Sequence, residues 1–420
     1  VLGLVCAASA NAEFRFDEFK PRGFDYHDEY FVNYLSFRPR LTHRWMWRDA
    51  AVGYFTTVGS TRSTEFYIDQ FARVRVPFSD GFTGEYRLVQ TEDYDSRYLR
   101  NEVEVVLRWF RPPELMPLSE TLGHTPRPDG LFLGASAMLE ASKEFVDAGA
   151  ILGYATAHSG IRFDAVLPDV TYNNKNDELA EYTEEPVTLR ARVRTDLPHS
   201  GIRLRAWVMN DLPLRLVLPL REDLVFRYRK LTAGGAAFWE PREGLRFDLE
   251  LQGEETRKRF RYLTQARPDA DFRRRALRGI AQFELDVEPV FGPRASRQDL
   301  LFGTLFLHHV DETTRRSDFV IDRLRRDEAY GELGYLLALP TPFPSWEVGV
   351  RAATQMGVLS QRDVRPDSDK HTVGQKFLVK VGFGVEANSR EERAAFLIQA
   401  TVRVDTPSFG GANAQVLLRF

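Results

Sequence analysis

Apolar and polar side chains alternate residue by residue through most of this chain, and a period of two makes strands its main element and leaves little room for helices. In residues 396–405, Phe396, Ile398, Ala400, Val402 and Val404 share one phase, against Leu397, Gln399, Thr401, Arg403 and Asp405. Upstream, Phe377, Val379, Val381, Phe383 and Val385 alternate with Leu378, Lys380, Gly382, Gly384 and Glu386. Trp346, Val348, Val350, Ala352 and Met356 alternate in turn with Glu347, Gly349, Arg351, Ala353 and Gln355. The same rule holds far back: Leu189, Ala191 and Val193 oppose Arg190, Arg192 and Arg194, and Val103, Val105, Leu107 and Trp109 oppose Glu102, Glu104 and Arg108.

Two architectures alternate in this way, a sandwich with one face in a shared core and a barrel whose outer face meets lipid. A mean hydropathy of −0.35 and the absence of any apolar run of the ~18 to 20 residues that a spanning helix needs exclude a helical membrane protein. They leave the barrel open, because only every second residue of a barrel strand faces lipid. The polar phase is dense with charge and glycine, and the apolar phase includes Ala, Phe and Trp, a mixture that suits a barrel better than a sandwich core. Aromatics make up 12% of the chain, and Trp109 and Trp346 stand at strand ends, where the interfacial girdles of a barrel belong. The 57 basic and 60 acidic residues nearly cancel, which argues against a nucleic-acid partner.

Both ends of the sequence strengthen this reading. Ala414, Val416, Leu418 and Phe420 share one phase up to the last residue, with Gln415, Leu417 and Arg419 in the other. The opening, Val1-Leu2-Gly3-Leu4-Val5 running into Ala10-Asn11-Ala12, reads as the tail of a secretory signal peptide. Cys6, the single cysteine, would leave with it, consistent with passage through an oxidising periplasm. Terminal aromatic, alternation and signal tail together resemble bacterial outer-membrane β-barrel proteins of the porin-like class. The resemblance implies an integral outer-membrane location in a Gram-negative cell envelope, outer-membrane lipids as surroundings, and recognition of Phe420, Leu418 and Val416 by the barrel-assembly machinery.

The expected fold is therefore all-β, a transmembrane antiparallel up-and-down barrel of about 18 strands, within 16 to 22, at ~10 residues per spanning strand. Residues 1–12 read as residual signal peptide, 13–30 as a periplasmic lead-in or small plug, and 31–420 as the barrel. Long connections are expected at residues 111–130, 172–185, 311–329 and 361–371, with a short amphipathic helix at 317–329.

The inward polar phase carries the chemistry. Arg190, Arg192, Arg194, Arg203 and Arg205 fall in one phase of two successive strands, an electropositive ladder. Glu102 and Glu104, and Glu284, Asp286 and Glu288, form acidic counterparts. Such side chains bias a pore toward one sign of solute, or pair with one another across strands, as Arg73 and Arg75 with Glu85, and Arg87 with Glu102 and Glu104, would. Trp207 shares the phase of Arg203 and Arg205 and requires either a bulge or a lumen-facing ring. His308-His309 must place one imidazole outward, but no serine stands at a recognisable spacing, and no enzyme is expected. Metal and nucleotide motifs are lacking in the sequence, so neither metal nor cofactor is expected. The function implied is passage of small polar or anionic solutes. Export of an acidic polysaccharide or other polymer with periplasmic partners, and a non-conducting scaffold or adhesin, remain as alternatives.

Overall fold

The computed structural model describes residues 35–419, apart from 45–50, 63–64, 80–81, 94–95, 109–129, 141–144, 157, 172–180, 185–186, 198, 219–223, 263–268, 317–318, 365–371 and 392. The first ten of its twenty strands are β1 (Leu35–Arg44), β2 (Ala51–Arg62), β3 (Glu65–Ser79), β4 (Phe82–Asp93), β5 (Ser96–Arg108), β6 (Gly130–Glu140), β7 (Phe145–Ala155), β8 (Ser159–Thr171), β9 (Glu181–Glu184) and β10 (Thr188–Leu197). The second ten are β11 (Ile202–Leu218), β12 (Leu224–Arg242), β13 (Leu245–Tyr262), β14 (Ala270–Val287), β15 (Asp299–Arg316), β16 (Phe319–Leu339), β17 (Trp346–Val364), β18 (Thr372–Ser389), β19 (Ala394–Arg403) and β20 (Ser408–Arg419). Among the described residues the one helical turn is Gly292–Arg294.

Successive strands pair antiparallel around a single sheet, and β1 pairs with both β2 and β20, which closes the ring. Strands β9 and β10 lie end to end against β11, Glu184 opposite Arg215 and Thr188 opposite Asp211. They occupy one position, so among the described residues twenty strands give nineteen positions. An odd count brings the last strand back in the direction of the first, and the β1–β20 seam is accordingly parallel, with Leu35 opposite Ala412 and Thr42 opposite Arg419. The expected up-and-down antiparallel wall therefore holds except at this seam.

Two-residue connections pin the register of several hairpins. Between β12 and β13 the chain reverses through Glu243-Gly244, where Gly244 takes a φ of +77° and lies against Asp286; a side chain there would be strained and crowded. Around β4 the register sets Arg75 opposite Glu85 and Arg87 opposite Glu102, as expected, but also Arg73 opposite Arg87 and Glu85 opposite Glu104, because one unbroken register across three strands aligns like-charged positions as well as unlike ones.

Exposure is inverted relative to a water-soluble domain. The apolar phase lies outside and bare: Phe383 is 61% exposed and Ile398 68%, with Leu249, Leu251, Leu305, Leu333 and Phe377 beside them in the same outer layer. The polar phase is buried inside, Lys380 at 1%, Arg351 at 2% and Gln415 at 1%. Left in water, each large outer side chain would forgo up to roughly 1.5–3 kcal/mol of transfer free energy, which an apolar medium against this face would recover. A sandwich would bury Phe383 and expose Lys380, and the opposite pattern rules it out.

Aromatic pairs mark the outer face near the end where β20 finishes. Trp346 meets Phe396 at 5.7 Å between ring centroids, and Trp239 stacks on Phe247 at 5.4 Å. Inside that same end, Leu417, the apolar exception in the inward phase of β20, is buried with Ala395 and Leu397.

The expected connection at residues 311–329, with its helix, is instead strand at 311–316 and 319–329. β15 runs through Arg316 and β16 starts at Phe319, in continuous register from Asp311↔Arg325 to Leu300↔Leu336. The physical reason is that the outer phase there carries Asp311, Thr313, Arg323, Arg325 and Asp327 in place of apolar residues, so both phases are polar and alternation disappears. Likewise residues 361–364 belong to β17, and 181–184 form β9. Trp109, Phe420 and residues 13–30 lie outside the described residues.

Candidate functional site: the charged interior

Strand phase and register bring the arginine ladder together. Arg190, Arg192 and Arg194 of β10 alternate with the exposed Leu189 and Val193 and point inward. On β11, Arg205 lies opposite Arg194, Arg203 opposite Asp196, and Trp207 opposite Arg192. On the other side, β8 adds Arg162 opposite Arg192 and Asp164 opposite Arg190. Six arginines therefore share this wall with two aspartates. Arg162 Nε donates to Asp164 Oδ1 at 2.7 Å, and Arg194 donates to both Asp196 oxygens at 3.2 and 3.1 Å. The Arg203 guanidinium lies 4.1 Å from the centre of the Phe238 ring. Among these eight residues the guanidiniums outnumber the carboxylates six to two.

Trp207 needs no bulge. The β10–β11 register runs without a break from Ile202 to Asp211, so the indole is a genuine interior residue. It lies over Gly234, directly opposite on β12, where a Cβ would come within 2.3 Å of the ring. Phe132 covers Gly153 and Phe302 covers Gly334 in the same way, an aromatic of one strand filling the space left by a glycine of the next.

The acidic positions flank this wall. Two strands separate β11 from β14, where Glu284 and Asp286 hold the inward phase. Arg246 stands 4.0 Å from Glu284 and 3.6 Å from Glu240. Glu288 lies just past the end of β14, exposed in the connection to β15. Glu102 and Glu104 occupy β5 register positions opposite Met138 and Ser136.

A second interior group lies on β15–β18, and sequence reasoning did not single it out as a site. Arg351 Nη2 donates to Glu332 Oε1 at 2.9 Å, Gln355 donates to the other oxygen of Glu332, and the Arg351 guanidinium stacks 3.6 Å from the centre of the Phe302 ring. Arg297, in the connection between β14 and β15, reaches Glu386 on β18 at 2.7 Å, and Asn388 donates to the same carboxylate oxygen at 3.0 Å. Ser296 bonds the backbone of Val348 in both directions at 3.0 Å. This connection is thereby laced to the interior side of β17 and β18 at the C-terminal end of the barrel. Arg351, Gln355, Lys380 and Glu386 were visible as the polar phase of their strands, but Arg297 had no periodic signal.

The histidines separate as strand phase requires. His309 faces outward and bonds Asp327 at 2.6 Å; His308 faces inward, 3.8 Å from Glu328. The cross-strand neighbours of His309 are Leu277 and Asp327, neither of them a nucleophile for acyl transfer. No group of three or more metal-ligating side chains occurs among the described residues.

No family model matches the chain, and no curated protein does. Fourteen chains of solved structures match. One is a bacterial polysaccharide outer membrane secretin, at a TM-score of 0.35 and 10% identity over 87% of this chain and 94% of that one. A likeness at this level defines neither a shared family nor a shared function. What the chain's own geometry defines is an all-β barrel with its charged face inside and its apolar face outside.

Proposed function

We propose that this chain is an integral outer-membrane barrel that passes small polar or anionic solutes through its charged interior. The observation that carries the reading is the interior wall of Arg162, Arg190, Arg192, Arg194, Arg203 and Arg205 with two aspartates, set in a barrel whose outer face is apolar. Guanidiniums held on rigid strands replace part of an anion's hydration shell and lower the barrier for one sign of charge. Outer-membrane lipids supply the apolar medium that the outer face demands, and the barrel-assembly machinery inserts the chain. The reading includes no catalytic step and no cofactor.

Trp207 favours a second reading, an export conduit for an acidic polysaccharide. An interior indole between Arg192 and Gly234 offers a stacking surface for a sugar ring beside guanidiniums for its carboxylates.

Reconstitution into planar bilayers tests both. With a salt gradient, wild type should conduct with anion preference, and the quadruple change of Arg190, Arg192, Arg203 and Arg205 to Ala should move the reversal potential toward cation preference. Block by an acidic oligosaccharide, relieved by Trp207→Ala, would favour the export reading. A folded, inserted barrel that never conducts would overturn both and leave a scaffold.

A further inference from the structure

On the outer face, at the end away from Arg419, the apolar layer gives way to arginine. Arg229, Arg257 and Arg273 stand directly opposite one another across β12, β13 and β14, and the row continues through Thr313 to Arg323. The row beyond it holds Arg227, Arg259, Asp271 and Arg315. Like charges side by side on one sheet face repel. Their local counter-charge is thin: the single Glu255 carboxylate accepts from Arg257 at 2.9 Å, Arg273 at 2.7 Å and Arg275 at 3.4 Å. Asp271 binds Arg259 at 2.7 Å, and Asp311 stands 3.6 Å from Arg323. Eight arginines and two aspartates line a concavity of about 810 Å³ on this face.

The same strands carry the exposed apolar layer directly below. Leu251 and Leu277 lie six and four residues from Arg257 and Arg273, a drop of about 13–20 Å along the strands at ~3.3 Å per residue, and Leu305, Leu307 and Leu333 continue the layer. A guanidinium shelf above an apolar wall matches an amphiphile with an anionic head and hydrocarbon chains. Arginine forks suit phosphate oxygens, which accept two parallel hydrogen bonds from one guanidinium.

We infer that this shelf binds the phosphate groups of an anionic glycolipid in the leaflet that surrounds this end of the barrel. The assignment rests on the membrane reading above. It places the lipid on the outside of the wall, separate from the interior arginines that face the solute path.

The test is retention of a bisphosphorylated lipid A by the intact barrel in lipid discs and mild detergent, counted by native mass spectrometry, against the same glycolipid stripped of its phosphates. Wild type should keep the phosphorylated form at least tenfold better. The triple change R257Q/R273Q/R275Q should remove that preference while the heat-shifted gel band of the folded barrel persists. Should the triple variant not fold, the comparison of the two glycolipids on wild type decides. Equal retention of both forms by an inserted wild type would overturn the assignment alone. So would displacement by millimolar inorganic phosphate, which marks a plain phosphate site, or by a soluble acidic oligosaccharide, which marks a polymer site. Failure of wild type to enter lipid at all would overturn the membrane reading and this assignment with it.

Discussion

Trp207 and Gly234 face each other across β11 and β12, and the indole lies where a Cβ on residue 234 would have to be. The pair is interior, beside Arg192, so the glycine fixes the angle at which the ring meets the arginine wall. Gly234→Val should push the ring off its seat and destabilise the barrel by about 1–3 kcal/mol, the usual range for overpacking. Adding Trp207→Leu should recover most of that loss. Denaturant unfolding in detergent micelles for the two single variants and the double, treated as a mutant cycle, checks it; additive losses would show that the two residues do not touch.

Glu332 is the shared acceptor of Arg351 and Gln355 in the buried group on β16 and β17. Glu332→Leu leaves a buried guanidinium without its carboxylate and should cost about 3–5 kcal/mol. Changing Arg351→Met in the same chain removes the stranded charge, and the double variant should be more stable than Glu332→Leu alone. The same unfolding assay reads this, and a double variant weaker than both singles would contradict the pairing.

Asp405 lies in the turn between β19 and β20, outside the strands. A hydrogen bond from Arg403 is the main influence that holds its carboxyl down to about 2, helped by the Val379 backbone N–H. A carboxyl depressed in the folded state stabilises that state above its unfolded pKa, near 3.8, and the contribution disappears as pH falls through the folded value. The stability difference between wild type and Asp405→Asn should therefore be constant at neutral pH, shrink below about pH 4 and vanish near pH 2. A difference that grows on acidification would contradict the Arg403 contact.

Alternation made the wall legible wherever the outer phase meets the apolar layer, as in Val348 to Met356 or Phe396 to Val404. It failed where the strands climb past that layer: in residues 311–329 the outer phase turns to Arg, Asp and Thr, and nothing in the local pattern separates such a strand from a solvated loop. The arginine shelf was hidden for the same reason. The inward arginines on β10 and β11 were readable because a short connection fixes which strand follows which. Arg297–Glu386, 89 residues apart, depends on the closed ring. The ring closes through pairing between β1 and β20, strands from the two ends of the described chain, and the parallel direction of that seam follows from the odd number of strand positions among the described residues, neither of which a single segment reveals.

The central claim is that one phase of each strand meets hydrocarbon and the other faces the interior. Nitroxide labels placed singly on β17 from Val348 to Gln355, in a Cys6→Ser background in lipid discs, test it residue by residue. Collision with oxygen should be high at Val348, Val350, Ala352 and Thr354 and low at Gly349, Arg351, Ala353 and Gln355, while a water-soluble nickel chelate should not reach the first set. Free access of the nickel chelate to Val350 and Ala352, or a period near 3.6, would contradict the barrel.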